Sequence, residues 1–137
     1  MFEKRLAQMI LKEMEVEPTV SQSSAIEAIS SFLFDDNQDS VFLLKGYAGT
    51  GKTLLISTIV KSIKQFRVKT ELLAPTGRAA KVLSAYTSQQ AFTIHKKIYR
   101  QQNTNDGVGR FSLDYNKNAN TLFIVDEASM ISNSLSD

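Results

Sequence analysis

The order of apolar and polar positions divides the chain into alternating helices and strands. Apolar residues that recur every three or four positions are typical of amphipathic helices, and short apolar runs are typical of buried strands. The predicted helices are an N-terminal amphipathic helix, a helix ending near Phe34, and the ranges 54–65, 78–86 and 94–100. The predicted strands are 41–45, 68–74 and 122–125. This alternation favours an α/β fold, a parallel sheet with right-handed crossovers flanked by helices.

Two parts of the pattern give more local predictions. In the helix at 78–86, we expect an inward face formed by Ala79, Ala80, Val82 and Leu83. The segment 101–120 is mostly polar, but the alternation of Phe111, Leu113 and Tyr115 within it predicts a short surface strand or hairpin arm. Pro18 ends the N-terminal helical pattern, so we divide the chain into an N-terminal helix, 1–17, and an α/β domain, 18–137.

Composition narrows the class of protein without identifying its partner. The chain has 137 residues, 42% hydrophobic and 22% charged, which are ordinary globular values. The net charge of +2 permits nucleic-acid binding but does not argue for it. The absence of cysteine excludes disulfides and zinc fingers, and no apolar run is long enough to span a membrane. We therefore expect a soluble, cytoplasmic protein without a membrane partner.

The strongest chemical signal is the stretch Gly46-Tyr47-Ala48-Gly49-Thr50-Gly51-Lys52-Thr53. It fits G-x-x-x-x-G-K-[ST], a loop whose backbone N–H groups surround the phosphates of a nucleotide at the start of a helix. A predicted strand precedes the stretch and a predicted helix follows it, as this motif requires. We expect Lys52 to reach the terminal phosphates and the Thr53 hydroxyl to bind Mg²⁺. A glycine-rich turn that binds nothing is the weaker alternative.

A second chemical signal, a pair of acidic residues, follows the last predicted strand. Asp126 is expected to hold Mg²⁺ together with Thr53, and Glu127 to orient or deprotonate an attacking water. An acidic strand end is common by itself, but its position after a phosphate loop favours nucleotide hydrolysis. The sequence Asn116-Lys117-Asn118-Ala119 lacks the aspartate of a guanine-specifying Asn-Lys-x-Asp motif, and no kinase lid is evident. An oligomeric chaperone-type ATPase remains an alternative.

Four segments together resemble the first motor domain of superfamily 1 helicases, nearest the RecD type. They are the phosphate loop, Leu73-Ala74-Pro75-Thr76-Gly77-Arg78-Ala79-Ala80-Lys81, Thr93-Ile94-His95 and Val125-Asp126-Glu127-Ala128-Ser129-Met130. The resemblance covers residues from about 19 onward. It implies a RecA-like P-loop NTPase fold and a 5′-to-3′ DNA helicase used in DNA repair and recombination. It also implies ATP and Mg²⁺ as cofactors and single-stranded DNA as partner.

The resemblance also implies roles for individual residues. Gln22 matches the glutamine that reads the edge of adenine, for which a donor and an acceptor are suited. An exposed glutamine at a helix start is the alternative. The positions implied to contact DNA are Pro75, Thr76, Arg78, Thr93 and His95. For Arg78 a surface salt bridge is the alternative, and for His95 a structural role without acid–base chemistry.

The resemblance stops at the end of the sequence, where later helicase motifs and a second motor domain are absent. We therefore expect a partial RecA-like domain, truncated after the strand that carries Asp126. A central strand of the sheet would then be missing, and we expect the truncated domain to be stabilised by self-association. Such a domain would bind Mg·ATP and DNA with little hydrolysis and no unwinding by itself. A stand-alone P-loop ATPase that regulates or assembles other proteins, without DNA binding, is the second hypothesis.

Overall fold

The computed structural model describes residues 1–37, 39–102, 110–113 and 120–131. These residues form two compact units, 1–67 and 68–137. The described helices of the first unit are α1 (Phe2–Glu13), α2 (Val20–Leu33) and α3 (Lys52–Lys64). The helices of the second are α4 (Gly77–Thr87) and α5 (Ile94–Ile98), and its strands are β1 (Lys69–Ala74), β2 (Ala91–Thr93), β3 (Tyr99–Gln102), β4 (Arg110–Leu113) and β5 (Thr121–Val125).

The N-terminal helix packs on its own unit, against α2 and α3. Leu6 and Ile10, one turn apart, are fully buried, which confirms the amphipathic pattern. Met14 is also buried and Met9 is half-buried, whereas Phe2 at the start of the helix is exposed. The helix therefore buries the apolar face that its spacing predicts, except at Phe2.

Helices α2 and α3 supply the rest of this core, and both end near the predicted positions. Ile26 and Ile29 are buried on α2. The buried apolar residues of α3 are Leu55, Ile59, Val60 and Ile63. Their spacing of three and four residues places them on one side of the helix. The phosphate loop, residues 46–53, leads into the N-terminal end of the same helix.

The strand predicted at 41–45 is wrong. Residues 41–47 have no regular secondary structure, and within the described part of the chain they pair with no strand. Val41 is 89% and Leu43 is 62% exposed, whereas Phe42 packs its ring 5.6 Å from that of Phe32 on α2. The alternation of side chains is that of a strand, but strand formation requires a hydrogen-bonded neighbour that an apolar run cannot supply by itself.

The second unit is built on a three-stranded sheet in the order β2-β1-β5. Both pairings are parallel, with Leu72 opposite Ala91 on one side and Ile124 on the other. Helix α4 packs against β1 and β2, and its Ala80 and Leu83 are buried. This arrangement confirms the predicted α/β class and the strands at 68–74 and 122–125.

Three details of this unit depart from or complete the predictions. Val82 was expected to face inward but is 48% exposed, because the buried positions of α4 are Ala80, Leu83 and Thr87 and Val82 lies outside that stripe. Strand β2 was missed, since three residues give too short a pattern to recognise. The hairpin is confirmed as the antiparallel pair β3–β4, and Tyr115 lies outside the described residues.

Across the described residues, no helix combines the length and the apolar character that crossing a membrane would require.

Candidate nucleotide-binding site

The phosphate loop leads directly into the N-terminus of α3. Gly49 has φ +79° and Gly51 has φ +82°, left-handed values that side-chain-bearing residues rarely adopt. Gly51 is also the residue that precedes the first turn of the helix. The two glycines therefore let the backbone curl immediately before α3, which is the geometry that an anion-binding loop needs.

The side chain of Lys52 lies against the backbone of this loop. Its Nζ donates hydrogen bonds to the carbonyl oxygens of Gly46 and, at 2.8 Å, of Tyr47. The Tyr47 carbonyl also accepts a bond of 2.7 Å from Oγ1 of Thr50. These bonds hold the ammonium group inside the loop, where a bound triphosphate would meet a positive charge.

The N-terminal turn of α3 adds a second source of positive potential. The N–H of Leu55 donates to the Gly51 carbonyl at 3.0 Å, the first bond of the helical ladder. The preceding N–H groups of a helix have no intrahelical acceptor, and the helix dipole adds partial positive charge there. Thr53 lies in this turn, so its hydroxyl is placed beside the same anion-binding end.

Gln22 contacts the loop from the N-terminal end of α2. Its Nε2 donates a hydrogen bond of 3.1 Å to the carbonyl of Thr50. Its Oε1 accepts one of 2.9 Å from the N–H of Thr19, the residue that caps α2. The sequence-predicted glutamine and the phosphate loop are therefore neighbours in the first unit.

The acidic pair lies in the second unit, at the carboxyl end of β5. The N–H of Asp126 donates to the Leu73 carbonyl at 3.0 Å, which continues the ladder between β5 and β1. The Oδ1 of Asp126 accepts the N–H of Glu127 at 3.0 Å. Glu127 has φ +55°, a left-handed backbone that a non-glycine residue adopts at a cost and that occurs often at functional sites.

The turn after β1 begins helix α4 at the same edge of the sheet. Thr76 is the N-cap, and its Oγ1 accepts the N–H of Ala79 at 3.1 Å. Pro75 is half-buried, whereas Thr76 and Arg78 are exposed. The guanidinium of Arg78 is thus carried on an exposed first helical turn, where the backbone also favours anions.

Strand β2 and the helix α5 that follows it carry two more of the predicted residues. Thr93 stands opposite Ala74 at the end of β2 and caps α5, its Oγ1 accepting the N–H of Lys96 at 3.1 Å. His95 is exposed, and its ring lies 4.7 Å from that of Tyr99. The carboxyl ends of β1, β2 and β5 therefore gather Thr76, Thr93 and Asp126 at one edge.

A groove between α4 and β2–α5 was not recognised from the sequence. It has a volume of about 340 Å³ and includes Gly77, Lys81, Phe92, Thr93 and Lys96 in its lining. None of its lining residues is acidic. Lys96 also lies 5.8 Å from the centre of the Phe92 ring. Lys81 and Lys96 lie on different helices, 15 residues apart along the chain, so only the fold reveals that they share a groove.

The model of a family described as an AAA domain matches residues 18–137. The chain belongs to this family. With the phosphate loop at its helix N-terminus and the parallel sheet of the second unit, this AAA domain has the α/β fold of P-loop NTPases. The family assignment supports nucleotide binding and ATPase chemistry as the general activity.

Proposed function

We propose that this AAA domain is the ATP-binding part of a RecD-like, 5′-to-3′ DNA helicase, in which Mg·ATP hydrolysis drives movement along single-stranded DNA. The family match supports this proposal, because AAA domains of this kind occur in RecD-like helicases. The groove beside α4 carries the proposal furthest. Its two lysines, aromatic ring and absence of acidic lining residues suit a polyanion with stacked bases.

In the proposed site, the triphosphate binds at the loop 46–53 and the N-terminal turn of α3. Lys52 neutralises charge on the terminal phosphates, because its ammonium already lies inside the loop. Glu127, whose backbone is left-handed, orients or deprotonates the water that attacks the terminal phosphate. The Gln22 side chain donates one Nε2 hydrogen to Thr50 and accepts one bond at Oε1 from Thr19. Its second Nε2 hydrogen and second Oε1 lone pair read adenine.

Magnesium fits the residues available. A threonine hydroxyl and a carboxylate, Thr53 and Asp126, are the hard oxygen donors that Mg²⁺ prefers. Among the described residues no three acidic, histidine or cysteine side chains cluster into a protein-only metal cage. Mg²⁺ is usually held by one or two carboxylates together with water and substrate phosphates. When bound, Mg²⁺ neutralises charge on the transferred phosphoryl group.

On the DNA side, we propose that Pro75, Thr76, Arg78, Thr93 and His95 contact the strand. The exposed first turn of α4 offers backbone N–H groups and a guanidinium to a phosphate. Lys81 and Lys96 extend the positive surface along the groove. In this proposal, the binding of DNA and the hydrolysis of the nucleotide are coupled through the paired strands β1 and β5. The carboxyl end of β1 carries Pro75, and that of β5 carries Asp126.

The DNA part of this proposal is tested by fluorescence anisotropy with a labelled oligothymidine over a series of salt concentrations. Wild type should bind with a log-affinity that falls linearly with log salt. The double variant Lys81→Ala/Lys96→Ala should bind more weakly, with a slope smaller in magnitude by about 1.4 if each lysine neutralises one phosphate of a single strand. Arg78→Ala should also weaken binding.

The matched control is Lys61→Ala/Lys64→Ala, which removes two positive charges from the last turn of α3. It should leave the affinity and the salt slope close to those of wild type. If wild type shows no salt-dependent binding, or if both double variants lose affinity equally, the DNA-binding proposal is wrong. The first of these results would favour a P-loop ATPase that regulates or assembles other proteins without DNA.

A further inference from the structure

The side chain of Gln22 joins the starts of two helices. At α2 it completes a capping box, in which the N–H of Gln22 donates to Oγ1 of Thr19 at 3.2 Å and the N–H of Thr19 donates to Oε1 of Gln22 at 2.9 Å. This reciprocal pair fixes the position of the amide, because both its backbone and its side chain are tied to the same residue.

The other end of the amide lies directly on the phosphate loop. Nε2 donates to the carbonyl of Thr50 at 3.1 Å. A Cβ atom on Gly51 would lie only 2.6 Å from this nitrogen, so the amide also occupies the space that a side chain at that position would need. Gln22 Nε2 therefore bonds the carbonyl of the Thr50–Gly51 peptide and occupies the space beside Gly51.

The direction of that peptide matters for anion binding. A trans peptide is planar, and its C=O and N–H point in opposite directions. While the Thr50 carbonyl faces Gln22, the N–H of Gly51 must point away from Gln22. An N–H directed to the other side of a curled loop is available to a phosphate oxygen, as in other backbone anion sites.

We infer that Gln22 is a positioning residue for the phosphate loop, which holds the Thr50–Gly51 peptide in the orientation that binds phosphate whatever base the nucleotide carries. This inference rests on the proposed nucleotide site and assigns Gln22 a role separate from adenine reading. It follows that loss of the Nε2 donor weakens the binding of a bare polyphosphate as well as the binding of ATP.

The substitution Gln22→Glu separates the two contacts. A glutamate at this position keeps an acceptor for the N–H of Thr19, so the capping box is retained. Its carboxylate cannot donate to the Thr50 carbonyl. Gln22→Met removes both contacts without adding charge, which separates the loss of the donor from repulsion between a new carboxylate and the ligand.

The measurement is isothermal titration calorimetry with Mg·ATP and with Mg·tripolyphosphate, which has no base. We expect both variants to weaken tripolyphosphate binding about 3- to 10-fold, the range of one lost hydrogen bond, and ATP binding by at least as much. Thr19→Val is the matched control, because it removes a cap bond and leaves the amide against the loop. It should lower the melting temperature but keep tripolyphosphate affinity within about twofold.

The possible results separate this inference from the proposed function. Weakened ATP binding with unchanged tripolyphosphate binding in both variants would show that Gln22 reads only the base, and would overturn the inference while nucleotide binding stands. A wild-type chain that binds ATP but not tripolyphosphate would overturn it as well. If wild type binds neither ligand, the nucleotide site and the inference fail together.

Discussion

Lys97 and Lys96 both lie near the ring of Phe92, at 5.5 and 5.8 Å from its centre, but they differ in their charged neighbours. Lys97 forms an ion pair with Glu71 at 3.2 Å, and the two side chains are only 26% and 16% exposed. This pair ties α5 to the central strand β1. A partly buried carboxylate that loses its partner is costly, since its charge remains without compensation.

We predict that Lys97→Met lowers the free energy of unfolding by about 1 to 2 kcal/mol, between the values for exposed and buried ion pairs. The matched variant Lys96→Met should change it by less than about 0.5 kcal/mol, as exposed substitutions usually do. Urea denaturation followed by circular dichroism measures both. Equal effects of the two substitutions would show that the ion pair contributes nothing beyond the contact with Phe92.

At the scale of elements, the segment 41–45 shows that the apolar pattern of a strand does not by itself produce a strand. Phe42 and Leu44 are half-buried, whereas Val41 and Leu43 are exposed, so the segment packs through one face only. The contact between Phe42 and Phe32 attaches it to α2. Because 41–45 leads into the phosphate loop, this contact also fixes where the loop begins.

We predict that Phe42→Ala lowers the free energy of unfolding by about 1.5 to 2.5 kcal/mol, roughly half the cost of truncating a fully buried phenylalanine. Val41→Ala, at the neighbouring position and 89% exposed, should have almost no effect. Thermal and urea unfolding of both variants provide the measurement. A large effect of Val41→Ala would mean that this exposed side chain is covered in solution.

The elements that the sequence predicted correctly are those whose signal is local. Helix α3 follows from the periodic apolar residues after Gly51, and β1 and β5 follow from short buried runs. The prediction failed where the outcome depends on a partner. The segment 41–45 has the right composition but no neighbouring strand among the described residues, and Val82 is apolar but lies beyond the surface that the sheet covers.

The sequence indicates which residue types the candidate site contains, but not which of these residues contact one another. The glycine and lysine spacing identifies the phosphate loop, because that motif depends on a few neighbouring residues. Spacing does not reveal that the Gln22 amide lies on Thr50, 28 residues away along the chain. It also does not reveal that Lys81 and Lys96 line one groove, since only the packing of α4 on β2 brings them together.

At the scale of the whole molecule, the candidate residues divide between the two compact units. The first unit carries Gln22 and the phosphate loop, and the second carries the acidic pair and the proposed DNA contacts. Each unit has its own buried core, with Ile10 and Ile26 in one and Leu72 and Leu83 in the other. Nucleotide binding is the property on which every other part of the proposed function depends.

The most direct test is a calorimetric titration of Mg·ATP into wild type, Lys52→Ala and Lys64→Ala. Lys64 is an exposed lysine at the other end of the helix that Lys52 begins, so it controls for the loss of one positive charge. Lys52→Ala should lose about 10-fold or more in affinity, the effect of removing a charged hydrogen-bond donor. Lys64→Ala should bind like wild type. Equal affinities of wild type and Lys52→Ala would contradict the assignment of the loop as the nucleotide site.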